Sequence, residues 1–285
     1  MQRLKSWLIV LTMLCLPFPS LAAEKQAPFD VTLDPEKPGP GDIVVVTVKN
    51  KNTSGPLEGT FNGKKVYFSP SKDSFKAVIG IDLYMEPGAY PLAISMPGAS
   101  LERRMKVVKK EYPIQRLTLP KDMVELSPEN EARVERERLA MAAIWPNEGP
   151  RVWSGKFLNP LEGEIVTQFG VRRIINKIPK SSHSGVDVSG DEGAPVRAPG
   201  SGVAVLIDEQ FYSGKSVVLD HGEGIYTMFF HLSRIMVASG QEVKKGDVIG
   251  LVGSTGRSTG PHLHWGVRLQ GARVNPQELI TLKLE

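Results

Sequence analysis

The sequence predicts an all-β chain in which a small β-sandwich and a second β-domain are joined by one helix. Three observations predict it. Strand-like runs rich in β-branched and aromatic residues recur between Asn-Gly and Pro-Gly turns through residues 29–109. Only residues 128–144 read as a helix of useful length. From Trp153 onward strands return with many glycines, and no long helix interrupts them. The 285 residues suffice for two ordinary domains, and 41% hydrophobic with 23% charged residues excludes a disordered chain.

The first 23 residues read as an export signal rather than as part of the fold. Arg3 and Lys5 precede an apolar run over 7–16, and Leu21-Ala22-Ala23 offers small residues for cleavage. The run is too short to span a bilayer comfortably. No stable membrane span is therefore expected after cleavage, and the mature chain is placed in the periplasm or cell envelope. Leu14 stands before Cys15 where a lipidation signal would want a small residue. Removal of the segment leaves 33 basic and 31 acidic residues and no cysteine. A disulfide scaffold and a Cys-based zinc site are excluded, and a net charge of +2 does not point to nucleic acid.

Residues 29–110 form the first domain, with candidate strands at 43–48, 65–68, 75–83, 90–95 and 105–108. Residues 111–152 form a linker. Its helix, 128–144, has Ser127 as N-cap and Pro128 at the first helical position, and Pro146 and Gly149-Pro150 stop it. Val134, Met141 and Ile144 are its apolar contribution, and its charges read as a solvated face on a tether between two independent cores. Residues 153–285 form the second domain, with strands at 164–169, 202–207, 216–220, 225–231, 247–252 and 262–269. This fragment is expected to fold alone.

All five histidines, His183, His221, His231, His262 and His264, fall in the second domain. In His183-Ser184-Gly185-Val186-Asp187, the valines and glycine favour an extended chain. Positions i and i+4 then share a face, which puts His183 beside Asp187. In His262-Leu263-His264 a strand likewise puts both rings on one face, with Leu263 and Trp265 toward the core. Two histidines and a carboxylate are a known catalytic zinc set with an open fourth position. His183, Asp187 and one of the two HxH histidines supply it, and the others are left for proton handling.

Residues 157–276 resemble the lysostaphin/LytM-type zinc metallopeptidases, which cut peptide bonds in bacterial peptidoglycan. The matching motifs are Phe169-Gly170-Val171-Arg172, His183-Ser184-Gly185-Val186-Asp187, Asp220-His221-Gly222, His231-Leu232-Ser233, Gly246-Asp247-Val248-Ile249-Gly250 and Ser258-Thr259-Gly260-Pro261-His262-Leu263-His264. The resemblance implies an antiparallel β-sheet domain holding one zinc ion per chain on His183, Asp187 and His264. It makes His231 and His262 the catalytic pair and peptidoglycan stem peptides or cross-bridges the substrate. The first domain resembles, more loosely, the Ig-like modules that precede some family members. His221 and Asp220 read as structural, and Arg172 as either a groove residue or a surface ion pair.

A non-catalytic regulator that binds and activates a cell-wall amidase is the competing class. Such relatives lack ligand residues, whereas all five positions are present here. Gly256-Arg257-Ser258-Thr259-Gly260 matches a nucleophile elbow in letters only, because Pro261 and a strand follow where a helix is required.

Overall fold

The computed structural model describes residues 29–49, 55–118 and 125–282. The leader expected at 1–23 lies outside the described residues. The first domain contains β1 (Asp30–Asp34), β2 (Ile43–Lys49), β3 (Glu58–Phe61), β4 (Lys64–Val66), β5 (Ser69–Ser71), β6 (Ser74–Gly80), β7 (Gly88–Met96) and β8 (Ala99–Val107). They make two four-stranded antiparallel sheets, β1-β2-β6-β5 and β4-β3-β7-β8. Val44, Val46, Val48 and Ile79 from one sheet meet Phe61, Leu92, Ile94 and Met105 from the other in a shared core. Strand β8 begins at Ala99, six residues before the expected start. Its outward residues include Glu102 and Arg104, which hide the strand pattern, while the turn at Pro97-Gly98 sets the pairing with β7.

The linker holds β9 (Ile114–Leu117) and α1 (Pro128–Ala142). Ser127 caps α1 by accepting the Asn130 N–H. The helix stops at Ala142, two residues short of the expected 144, because the chain is already turning toward Pro146. Met141, Ile144 and Trp145 then pack against Val218, Tyr226 and Met228 of the second domain, and the Tyr226 hydroxyl donates to the Ile144 and Asn147 carbonyls. The end of the linker helix and the residues after it are therefore docked on the second domain.

The second domain comprises β10 (Ile165–Thr167), β11 (Arg172–Ile175), β12 (Ile178–Pro179), β13 (Gly185–Ser189), β14 (Pro195–Arg197), β15 (Gly202–Gln210), β16 (Gly214–Asp220), β17 (Ile225–Leu232), β18 (Arg234–Ile235), β19 (Glu242–Val243), β20 (Val248–Leu251), β21 (His262–Leu269), β22 (Ala272–Val274) and the short α2 (Pro276–Thr281). Its main sheet is antiparallel in the order β10-β13-β21-β17-β16-β15-β19, with β22 paired to β21. One face is apolar: Val186 and Val188, Leu263, Trp265 and Val267, and Phe229, Val217 and Leu219 bury together. The other face carries Asp187, His262 and His264, and farther along the sheet it receives the end of α1.

The two cores are not independent. Ile43, Val78 and Leu83 of the sandwich belong to the core of the second domain. Gly80 lies so close to β21 and β22 that an added Cβ would stand 2.9 Å from Leu269. Backbone bonds run from Asn275 N–H to the Gly41 carbonyl and from Leu83 N–H to the Arg273 carbonyl, at 2.8 and 3.1 Å. Strand β9 pairs in parallel with β11, so the linker extends a sheet of the second domain. No helix among the described residues is long and apolar enough to cross a membrane.

Candidate metal centre

Three strands set the floor of the site. In the register of β13, β21 and β17, Asp187 lies opposite His264 and His264 opposite Phe230, so one cross-strand row carries all three. The Phe230 and His264 rings stack at 5.3 Å and 4°. His262 begins β21 opposite Ser189, on the same face. Leu263 and Trp265 point into the core, as the alternation of the strand requires.

His183 is not on a strand, as the spacing suggested; it lies in the loop just before β13. Its place is fixed by the preceding turn. His183 N–H donates to the Val171 carbonyl at 2.9 Å, and Gly170 N–H donates to the His183 carbonyl at 2.8 Å. Gly170 has φ +81, and an added Cβ would stand 2.2 Å from the Tyr112 ring, so only glycine fits between the linker and this loop.

His183 Nε2, Asp187 Oδ1 and His264 Nδ1 converge, with 2.9 Å between each pair, and this group could hold a metal ion. The His183 Nδ1–H donates to the Gln168 carbonyl, which leaves Nε2 as a lone-pair acceptor. That lone pair faces a carboxylate oxygen and a second ring nitrogen, an arrangement that calls for a shared cation. Donors about 2.0–2.1 Å from a tetrahedral zinc lie roughly 3.3 Å apart; the cluster needs to open by only a few tenths of an ångström. Burial works against ionisation of Asp187, yet positive charge shared with the facing His183 and His264 rings holds the carboxyl well below the usual range. Burial pushes His264 down to about 4, which keeps the ring neutral and free to ligate.

His262 and His231 stand at the rim. His262 Nε2 is 3.8 Å from Asp187 Oδ1, and the His231 and His262 ring centroids are 4.8 Å apart. Their Nδ1–H groups donate to the Gly260 and Thr255 carbonyls, each at 2.8 Å. Both Nε2 atoms are thereby left as the reactive nitrogens. Burial lowers the His231 pKa.

His231 reaches this face through a β-bulge. Between Phe229 and Leu232, β17 advances three residues while its partner β16 advances two, from Val217 to Lys215. His231 takes a left-handed φ of +64. Plain alternation would turn its ring to the core side with Phe229; the extra residue puts it beside His262 instead.

Arg172 is exposed on β11. Its neighbour Arg173, which sequence reasoning missed, approaches Asp187 Oδ2 at 4.0 Å. A charged pair in tandem gives no signal of which member faces inward.

His221 is fully buried away from the cluster. It bonds the Ser201 carbonyl at 2.7 Å and Thr227 Oγ1 at 2.8 Å. Asp220 accepts the Gly222 N–H in the adjoining turn. Burial pushes the His221 pKa down to about 4. The unfolded chain, with a pKa near 6.5, then binds the proton more readily than the folded one. Stability from this group is complete above about pH 6.5 and is lost as pH falls toward 4, by about 3 kcal/mol. Denaturant titrations across this range should show that loss, and His221→Gln should make it shallower. An unchanged slope in the variant would remove His221 as the cause.

The family model for peptidase family M23 matches residues 181–276. The chain is 46% identical over 94 residues to the DD-carboxypeptidase/endopeptidase Mpg of Neisseria meningitidis, covering 33% of this chain. It is 45% identical over 113 residues to the peptidoglycan DD-endopeptidase ShyA of Vibrio cholerae, covering 39% of this chain. The matched stretches span 22% and 26% of those two proteins' lengths. The fold is similar to a crystal structure from Pseudomonas aeruginosa assigned to peptidase M23, with TM-score 0.70 and 34% identity. That match covers 86% of this chain and 95% of the other.

Proposed function

The chain belongs to peptidase family M23, and from that premise we propose that it is an exported zinc metalloendopeptidase that hydrolyses peptide cross-links of bacterial peptidoglycan. The observation that carries this reading is the convergence of three acceptor atoms 2.9 Å apart with two further histidines at their rim. In this reading His183, Asp187 and His264 hold one zinc ion. The ion, when bound, polarises the scissile carbonyl and activates water near neutral pH. The open side of the cluster faces His231 and His262.

His231 and His262 handle protons. Each is held by its Nδ1–H on a backbone carbonyl, so Nε2 accepts a proton from the attacking water when neutral. When protonated, it donates to the developing oxyanion or to the leaving amine. Arg173 adds positive charge behind Asp187. The complete set of five residues favours catalysis over a regulatory scaffold. Peptidoglycan stem peptides or cross-bridges are the proposed substrate. The basic and apolar pattern of residues 1–23 supports export to the periplasm or cell envelope.

The test is digestion of purified sacculi by the mature chain, with products identified by mass. Release of peptide-cleaved muropeptides, stopped by a chelator and restored by zinc, is expected. Cleavage that persists after metal removal would contradict the proposal.

A further inference from the structure

The charges of α1 do more than face water. Arg133 and Glu137, one turn apart, reach into the second domain. Glu137 Oε2 accepts the Phe211 N–H at 2.9 Å, and its Oε1 accepts Arg133 Nε at 2.7 Å. Arg133 Nη2 donates to the Glu209 carbonyl at 2.7 Å, and its guanidinium sits 5.9 Å from the Phe211 ring. Both flanks of Gln210 are thus tied to one turn of the linker helix.

The loop held in this way leads directly to the histidines. The Tyr212 carbonyl accepts the Arg257 N–H at 2.9 Å, and the Arg257 guanidinium lies 4.2 Å from the Tyr212 ring. The Ser213 carbonyl accepts the His231 N–H at 2.8 Å. Gly214 presses against Thr255, where an added Cβ would stand 2.3 Å from the Thr255 carbonyl carbon. That same Thr255 carbonyl accepts the His231 ring proton. The loop at 211–214 therefore fixes the backbone of His231 directly and its ring through Thr255. His231 needs such support, because a left-handed non-glycine residue persists only where its surroundings hold it.

We propose that Glu137, braced by Arg133, is a positioning residue for His231, so that the linker helix sets the geometry of one of the two rim histidines. The inference rests on the peptidase reading above. It makes the docked linker part of the working enzyme.

The experiment uses the full mature chain with Glu137→Ala, Glu137→Gln and Arg133→Ala. Turnover is measured on soluble cross-linked muropeptides, together with zinc content, melting temperature and the imidazole N–H resonance of His231. Glu137→Ala is expected to keep zinc and melt normally while kcat falls about tenfold at constant KM, and the His231 Nδ1–H signal should broaden through faster exchange. Glu137→Gln retains an acceptor oxygen for Phe211 and should recover most of kcat. Arg133→Ala should show the same signature more weakly. Wild-type kcat with an unchanged His231 signal in both alanine variants would overturn the proposal. So would loss of zinc or early melting in them, because the contact would then be general scaffolding. If the wild-type chain itself fails to cut muropeptides, the peptidase reading fails, and the His231 resonance still decides the positioning role.

Discussion

His231→Ala and His262→Ala are each expected to keep zinc and the fold while losing at least about 100-fold in peptidoglycan hydrolysis. Neither ring belongs to the trio with 2.9 Å separations, so metal content should survive. Each ring is partly buried and pinned through Nδ1 to a carbonyl, so truncation removes a pre-oriented Nε2 rather than a loose side chain. A positioned acid or base contributes about 10²- to 10⁴-fold, or roughly 3–5 kcal/mol of barrier. Elemental analysis, circular dichroism and dye release from labelled sacculi measure the three quantities. A variant that held zinc and cut near the wild-type rate would make that histidine structural.

His264→Ala is expected to have the largest effect of any single change, emptying the site of zinc and abolishing hydrolysis. Only His183 and Asp187 would remain as ligands, and two ligands hold zinc poorly. The change also removes the ring stacked on Phe230. A loss of folded structure would confuse the result, so His264→Gln serves as the bulkier companion. Both should contain less than about a tenth of the wild-type zinc while keeping the β-rich circular dichroism spectrum. Full zinc occupancy in a folded variant would remove His264 from the ligand set.

The sequence displays the floor of the site more plainly than its rim. The HxH spacing on an alternating strand already requires His262 and His264 to share a face, with Leu263 and Trp265 buried behind them, and β21 has that arrangement. The HxxxD spacing brings His183 to Asp187, though through a loop held by Gly170 rather than along one strand. His231 is different. Strand alternation alone points its ring into the core, and the bulge that reverses it depends on pairing with β16, which no local pattern encodes. Arg173 was hidden for a similar reason, since its side is set by how β9 and β12 flank β11. The linker shows the same limit. Its Glu- and Arg-rich helix has the composition of a solvated tether, and no buried residue marks it as anything else. Its docking depends on partners such as Phe211 and Tyr226, some 70 to 85 residues away in the chain. Long-range pairing, rather than local propensity, decides all three cases.

The most direct test of the central claim is anomalous diffraction at the zinc absorption edge from crystals of the mature chain. The account predicts one peak per chain, about 2.0–2.2 Å from His183 Nε2, His264 Nδ1 and an Asp187 carboxylate oxygen, with the rings of His231 and His262 outside bonding distance. A zinc peak elsewhere in the chain, or one bonded to His231 or His262 in place of His264, would contradict it.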